Sequence, residues 1–314
     1  MLVTSHPART AIRPRNAMPT SGFEFGAMAS ACEVRLAGGP QPRLALAAQA
    51  AIDEVRRIEQ KYSRYCADSI VSRINAAAGS GSAVAVDDET AQLLDFASQL
   101  FDSSDGLFDI TSGVLRRAWD FRAGRVPEPE TLQPLLALIG WGDVRWVNHT
   151  ITLPKTGMEI DFGGFGKEYA ADRAHAVLAA HDVRHGFVNL GGDIRVVGAQ
   201  PDATPWRIGV QHPRNAGETI ASIELVEGAL ATSGDYERFF VRDGRRYCHI
   251  LDPNTGWPVE AWQSISVRAP VCVAAGAMST IAMLKRASAL EFLRSQGASY
   301  LAIDAAGRHF HTGA

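Results

Sequence analysis

Cysteine is scarce in this sequence and follows no metal-binding pattern. Four cysteines occur in 314 residues, Cys32, Cys66, Cys248 and Cys272. None forms a CxxC pair or stands at zinc-like spacing from a histidine, which excludes the usual structural zinc sites. We therefore expect four free, buried thiols in a reducing compartment.

The sequence also lacks a basic excess and a long apolar run. The formal net charge is −3 and 21% of the residues are charged, which argues against a nucleic-acid partner. No stretch reaches the roughly 18 uninterrupted apolar residues of a membrane span. The N-terminal segment has no apolar run of about 7–15 residues, as a secretory signal would, and no lipoprotein-type cysteine. These absences favour a cytoplasmic protein without a membrane span.

Apolar sequence is nevertheless sufficient for a large core. Hydrophobic residues make up 46% of the chain, enough for one large domain. Residues 1–22 are rich in Pro, Ser, Thr and Arg and are predicted to form a flexible leader, which leaves 23–314 as a single domain. Helical and strand-like segments alternate, and this predicts an α/β or α+β fold with mixed sheets flanked by helices.

Periodicity, caps and turn residues predict the individual elements. Helices are expected at about 43–62, up to 75, 88–101, 164–181, 274–284 and up to 296, and strands at 144–147, 150–153, 187–190, 206–211, 222–226, 229–232, 264–269, 300–303 and 308–311. Asp243-Gly244 lies between two β-rich runs, as in a type I′ hairpin, and the second run leads to His249. Asp109, followed by Thr111, is expected to cap a helix.

The stretch from Gly157 to Asp193 carries the strongest functional signal. It is interpreted as a short strand ending at Asp161, a glycine-rich turn that ends in Lys167, a helix, and a strand that meets the pair Gly191-Gly192. Glycines allow a ligand to approach the backbone, and a helix start attracts anions. This pattern predicts a phosphate-bearing ligand. It is neither a Walker A loop nor a GxGxxG motif, however, and by itself fits a tight strand-to-helix turn equally well.

Six separated phrases together resemble the ApbE family of FAD:protein FMN transferases. In chain order they are DSIVSRIN (68–75), GLFDITSGVL (106–115), IDFGGFGKEYAADRA (160–174), FVNLGGDIRVVG (187–198), ATSGDYERFF (231–240) and YCHILDPNTGWPV (247–259). The resemblance covers the chain from about residue 28 to its C-terminus. It implies a monomeric enzyme of the ApbE, or T-fold-like, type that binds FAD between its lobes. With Mg²⁺, such an enzyme cleaves the pyrophosphate of FAD, attaches FMN to a threonine of a flavoprotein and releases AMP.

The resemblance also implies roles for individual residues. His249 matches the catalytic histidine, although Cys248 stands where serine is common. The FAD-binding residues would be Met28 and Tyr65 at the adenosine, Leu107, Phe108 and Asp109 along the FAD, Asp161 and Lys167, and Ser233, Gly234 and Ile250 near the flavin or ribityl chain. The acceptor would be a flavoprotein with a Ser/Thr-Gly-Ala-Thr-like motif.

The implied metal site departs from the family pattern. The family holds Mg²⁺ with an aspartate and a threonine in a phrase like A-D-x-x-x-T and with backbone oxygens. Here the phrase is AGAMST (275–280), so that Ser279 and Thr280 are present, the Gly164 carbonyl is available, and the aspartate position is Gly276. Mg²⁺ normally uses one or two carboxylates, and we expect a weakened site. The carboxylates weighed as replacements are Asp161, Asp235 and Asp252.

Three functions follow from this departure. The chain is an active flavin transferase with a rearranged metal site, an FAD pyrophosphatase that releases FMN and AMP, or a protein that binds FAD without cleaving it. Under the first interpretation, replacing Gly276 with aspartate is expected to raise metal-dependent activity.

Overall fold

The computed structural model describes residues 20–312. The first described strand begins at Thr20, so residues 20–22 of the predicted leader belong to a strand. The rest of the predicted leader, residues 1–19, lies outside the described residues. Within 20–312, no helix combines the length and the apolar character that crossing a bilayer requires.

Seven α-helices and fifteen strands make up the described fold. The helices are α1 Gln41–Tyr62, α2 Ile70–Ala76, α3 Asp88–Ser103, α4 Pro129–Leu136, α5 Gly166–Ala180, α6 Cys272–Lys285 and α7 Ala289–Ser295. The strands are β1 Thr20–Ala27, β2 Ser30–Ala37, β3 Val84–Ala85, β4 Arg145–Val147, β5 Thr150–Thr152, β6 Gly186–Leu190, β7 Asp193–Gly198, β8 Trp206–Gln211, β9 Thr219–Leu225, β10 Ala229–Gly234, β11 Phe239–Arg242, β12 Arg245–Cys248, β13 Trp262–Ala269, β14 Ser299–Asp304 and β15 His309–His311.

One large sheet organises the chain. Its eight strands follow the order β1-β2-β6-β7-β10-β13-β14-β15, and each neighbouring pair is antiparallel. The α+β form of the prediction is therefore confirmed. Since strand side chains alternate between faces, the sheet supports two cores. Helices α1, α5 and α6 cover one face, and the β8–β9 hairpin covers part of the other through Trp206, Ile208 and Val210.

The predicted strand before the glycine-rich turn is wrong. Residues 158–162 are extended, but no strand pairs with them in the described chain. The side chain of Asn75 instead takes the place of a partner strand, accepting from the Ile160 N–H at 2.7 Å and donating to its carbonyl at 3.0 Å. The Asp161 N–H donates to the Ile110 carbonyl at 2.9 Å. These bonds satisfy the backbone without a sheet, which a period-two pattern cannot reveal.

The predicted type I′ hairpin is confirmed. Asp243 and Gly244 both have positive φ, +51° and +76°, and they join β11 to β12. Tyr247 of this hairpin packs in a separate apolar cluster with Trp119 and Leu132. The Trp119 Nε1–H donates to the Gly256 carbonyl at 2.7 Å. This packing positions the segment that follows β12, where His249 lies.

The four cysteines are free. Cys32, Cys248 and Cys272 are buried, as predicted. The prediction of burial is wrong for Cys66, which is half-buried in the turn after α1.

Helices α5 and α6 are joined by one carboxylate. Asp172 in α5 accepts from the Cys272 and Val273 N–H groups at the start of α6, both at 2.9 Å. Its Oδ1 also lies 2.9 Å from Nε of Arg195 on β7. No side chain of the residue that precedes α6 caps the helix, so Asp172 is the acceptor for these N–H groups.

We expect Asp172→Ala to lower the free energy of unfolding by about 2–3 kcal/mol, because two helix N–H groups and one arginine lose a charged partner. Urea denaturation measures the change. Glu224→Ala is the matched control, since Glu224 forms an exposed pair with Arg207 and should cost at most about 1 kcal/mol. Equal effects of the two substitutions would contradict the role of Asp172.

Candidate active site

The glycine-rich turn leads directly into α5. A Cβ on Gly164 would lie 2.7 Å from Cζ of Phe108, so the close approach of this ring requires glycine. The residue before the helix, Phe165, makes no side-chain cap, which leaves the first N–H groups of α5 without a side-chain acceptor. Such a helix start can bind an anion. The Gly166 N–H already donates to the Phe162 carbonyl at 2.6 Å, and a phosphate-bearing ligand at this turn stays a prediction.

Lys167 is held by a buried aspartate. Its Nζ pairs with Oδ2 of Asp193 and donates to the Leu190 carbonyl at 3.3 Å. The other oxygen of Asp193 accepts from the Thr232 N–H at 3.1 Å, and Asp193 is only 3% exposed. The lysine is therefore oriented by β7 and β10 and is not a freely solvated residue of a first helical turn.

Three hydroxyl groups meet where β10 faces α6. The Oγ of Ser233 lies 2.8 Å from Oγ of Ser279 and 2.9 Å from Oγ1 of Thr280. Ser279 also donates to the Gly276 carbonyl at 2.9 Å. The structure thus brings together Ser233, Ser279 and Thr280, which the sequence assigned to FAD and to the metal, and connects them to Lys167 through Thr232 and Asp193.

The position of Gly276 is filled by a neighbouring carboxylate. A Cβ added there would lie 2.5 Å from Cγ of Glu168 and 2.9 Å from its Cδ. Glu168 is 8% exposed, so its side chain has little room to move away. An aspartate at this position would therefore have to displace Glu168, and its expected effect on metal-dependent activity stays a prediction.

The three carboxylates predicted to compensate for Gly276 are already paired with arginines. Asp161 pairs with Arg64, and Asp252 lies 2.7 Å from Arg286. Asp235 accepts a bidentate contact from Arg214 at 2.6 and 2.7 Å. Within residues 20–312, no three His, Cys, Asp or Glu side chains form a metal-binding group.

His249 follows β12 and is half-buried. The backbone N–H of His249 donates to the Arg238 carbonyl at 3.0 Å. In its side chain, the buried ring atom Nδ1 has no hydrogen-bond partner among the described residues. Burial, chiefly, and the positive charges of Arg238 and Lys167 together lower the pKa of His249 to about 4. The effect of Lys167 places the histidine within electrostatic reach of the lysine. A neutral imidazole with a free nitrogen can accept a proton from a substrate.

A second group forms around Arg64 and includes Tyr65, one of the two residues predicted at the adenosine. Arg64 pairs with Asp161 and donates to the hydroxyl of Tyr65 at 3.0 Å, and this hydrogen bond lowers the pKa of Tyr65. Tyr65 is 80% exposed, which makes it available for a ligand. Met28 lies apart, in the β1–β2 turn, and its N–H donates to Glu59 at 2.7 Å.

Several other predicted FAD contacts have structural roles in the free chain. Asp109 caps a 3-10 helix, as predicted; its two oxygens accept from Thr111 N–H at 2.7 Å and Trp141 N–H at 2.9 Å. Phe108 and Ile250 are buried, Leu107 is partly buried, and a Cβ on Gly234 would lie 2.4 Å from the Tyr236 ring. The structure leaves their contact with FAD a prediction.

Sequence reasoning missed Arg64, Glu168 and Asp193. Each is adjacent to a predicted element, since Arg64 precedes Tyr65, Glu168 follows Lys167, and Asp193 follows the pair Gly191-Gly192. Glu168 could have been found from the sequence, because a carboxylate in the first turn of a helix that starts after glycines is a recognisable signal. The pairing of Lys167 with Asp193 could not, because it joins two different elements.

Comparisons with known proteins agree on one family. A family model described as the ApbE family matches residues 28–302. A Treponema pallidum protein named FAD:protein FMN transferase is 32% identical over 272 residues, which are 79% of this chain and 74% of that protein. A Rhodobacter capsulatus protein of the same name is 32% identical over 85% of this chain, which spans about half (51%) of that longer protein. The crystal structure of the ApbE protein from Thermotoga maritima superposes with a TM-score of 0.86 at 33% identity, over 94% of this chain and 97% of that one.

We expect His249 to be neutral in the free protein near pH 7. Its folded pKa of about 4 lies below the ordinary value of 6.5, so the unfolded chain binds more protons between these values, and stability falls as the pH drops from about 6.5 towards 4. In NMR spectra of histidine-labelled protein, the signal that His249→Gln removes should titrate near pH 4. The variant should also lose stability less steeply over this range.

His175 provides the control for this titration. Burial and the charge of Arg195 lower its pKa to about 4 as well, so His175→Gln is needed to assign the second acid-shifted signal. A His249 signal with a midpoint near pH 6.5 would contradict its burial.

Proposed function

The chain belongs to the ApbE family, and we propose that it is an FAD:protein FMN transferase, which moves FMN from FAD to a threonine hydroxyl of a flavoprotein and releases AMP. One observation gives this proposal its main support. Lys167, Asp193, the strand residues Thr232 and Ser233, and Ser279 of α6 form a connected polar group beside an uncapped helix start. Such a group suits a pyrophosphate.

In the proposed reaction, the threonine Oγ attacks the phosphorus of the FMN half of FAD. An O–P bond forms there, and the bond from this phosphorus to the bridging oxygen breaks. AMP leaves with that oxygen, and the hydroxyl proton passes to a base. Phosphoryl transfer of this kind depends chiefly on positioning and on stabilising the charge of the phosphate oxygens.

The residues of the chain can perform these tasks. The first N–H groups of α5 and the ammonium of Lys167 would hold the pyrophosphate oxygens. His249 would accept the threonine proton, because its imidazole is neutral at physiological pH and a neutral imidazole has one unprotonated nitrogen. Tyr65 and Arg64 present an exposed aromatic ring and a cation for the adenosine end.

A Mg²⁺ ion would neutralise pyrophosphate charge in this reaction. The Gly164 carbonyl and the hydroxyls of Ser279 and Thr280 would hold it on the protein side. Oxygen donors suit Mg²⁺, which keeps several waters and phosphate oxygens and needs few protein carboxylates. The buried carboxylate of Glu168 next to Gly276 supports this fit.

The remaining proposals concern the setting of the reaction. We propose that residues 23–314 form one domain that works as a monomer in the cytoplasm, and that the acceptor carries a Ser/Thr-Gly-Ala-Thr-like motif. The free cysteines support a reducing compartment. The monomer and the motif rest on the family resemblance alone.

The transfer is tested by incubating the protein with FAD, Mg²⁺ or Mn²⁺, and a protein that carries the acceptor motif. Fluorescent flavin on a denaturing gel and released AMP should appear together, and His249→Ala should slow both by about 100-fold or more because the proton acceptor is lost. Glu224→Ala, which removes an exposed carboxylate of the β8–β9 hairpin that pairs with Arg207, should transfer normally.

The products separate the alternative functions. AMP with free FMN and an unlabelled acceptor would identify a pyrophosphatase. Intact bound FAD would identify a binding protein. Either result would overturn the proposed transfer.

A further inference from the structure

One buried carboxylate at the junction of α5 and α6 has no partner that accounts for its position. Glu168 is 8% exposed, and its Oε2 makes no hydrogen bond. The nearest cation is Nζ of Lys167, 3.7 Å from Oε1, and Lys167 is itself paired with Asp193. A buried carboxylate without hydrogen bonds is costly unless a cation compensates it.

The side chain of Glu168 lies against the bare backbone of Gly276. The ideal Cβ position of Gly276 is 2.9 Å from both Cδ and Oε1 of Glu168. The carboxylate therefore reaches the space that an aspartate side chain at position 276 would enter. Glycine at 276 and glutamate at 168 are sterically coupled, because a larger residue at 276 would displace the glutamate.

Two contacts show how the helices are aligned. Asp172 of α5 contacts Cys272 of α6. Glu168, four residues earlier in α5, contacts Gly276, four residues later in α6. One turn further along α6 lies Thr280, since residues four apart share a helix face, and α5 begins at Gly166, two residues before Glu168 and directly after the turn that contains Gly164. The carboxylate of Glu168 therefore lies one turn from the residues that the sequence assigned to the metal.

We propose that Glu168 supplies from α5 the carboxylate for Mg²⁺ that the family pattern places on α6 at the position of Gly276. This inference rests on the proposed function for the identity of the ion. In this chain the carboxylate comes from α5 instead of α6 but lies in the same space, and glycine at position 276 leaves that space open.

Binding of Mn²⁺ in place of Mg²⁺, measured by electron paramagnetic resonance or calorimetry with FAD present and no acceptor, tests this assignment without using turnover. Glu168→Gln keeps the shape and removes the charge, and it should raise the Kd for Mn²⁺ at least tenfold. Glu54→Gln is the matched control, because Glu54 is a half-buried carboxylate on α1 that pairs with Arg57 and Arg173. Its Kd should stay within twofold of the wild type. Thermal unfolding of each variant confirms that it is folded.

Moving the carboxylate from position 168 to position 276 makes the test specific. Glu168→Ala should bind Mn²⁺ as weakly as Glu168→Gln, and adding Gly276→Asp to Glu168→Ala should recover most of the affinity. Gly276→Asp alone should destabilise the protein, because its Cβ collides with Glu168.

Unchanged Mn²⁺ binding in Glu168→Gln would overturn the inference, and so would a double variant no better than Glu168→Ala. These results are independent of the transfer assay. A protein that transfers FMN but binds Mn²⁺ without Glu168 would retain the proposed function and lose this assignment. A protein that binds Mn²⁺ through Glu168 but does not transfer FMN would do the reverse.

Discussion

The capping of α6 by Asp172 is the interaction on which the candidate site depends. The carboxylate joins the middle of α5 to the first two N–H groups of α6. Arg195 of β7 lies against Oδ1, the oxygen that also accepts from the Cys272 N–H. Two helices and the large sheet are thereby held in one alignment. Since the site is built from the start of α5 and the middle of α6, a shift of either helix by one turn would separate Lys167 and Glu168 from the hydroxyls of Ser279 and Thr280.

Small residues permit this alignment. Ala170, Ala171 and Ala174 of α5 and Ala275 and Ala277 of α6 are fully or almost fully buried. Close packing leaves no free volume, so the side chains at the contact are interdependent. A carboxylate can occupy the space between the helices from one side only, and at the level of Gly276 it comes from Glu168.

The electrostatics of the site are divided between paired and unpaired groups. Asp161, Asp235 and Asp252 are each compensated by arginine, and Lys167 by Asp193. Near the site, Oε2 of Glu168, Nδ1 of His249 and Nε of Arg64 are buried polar atoms without a hydrogen-bond partner among the described residues. Such groups are expected where a ligand, an ion or a proton completes the structure.

Much of the fold and of the site followed from the sequence alone. Local chemistry determined the hairpin at Asp243-Gly244, the Asp109 cap and most helices, because these depend on neighbours within a few residues. The ordered phrases identified the family, and the resemblance singled out His249, Lys167, Ser279 and Thr280, whose roles stay predictions. Only the tertiary structure decided that the backbone of Ile160 pairs with the side chain of Asn75, that Asp193 holds Lys167, and that Glu168 fills the space beside Gly276. These contacts join residues from about 26 to 108 positions apart, and a linear pattern carries no information on which distant side chains share a volume.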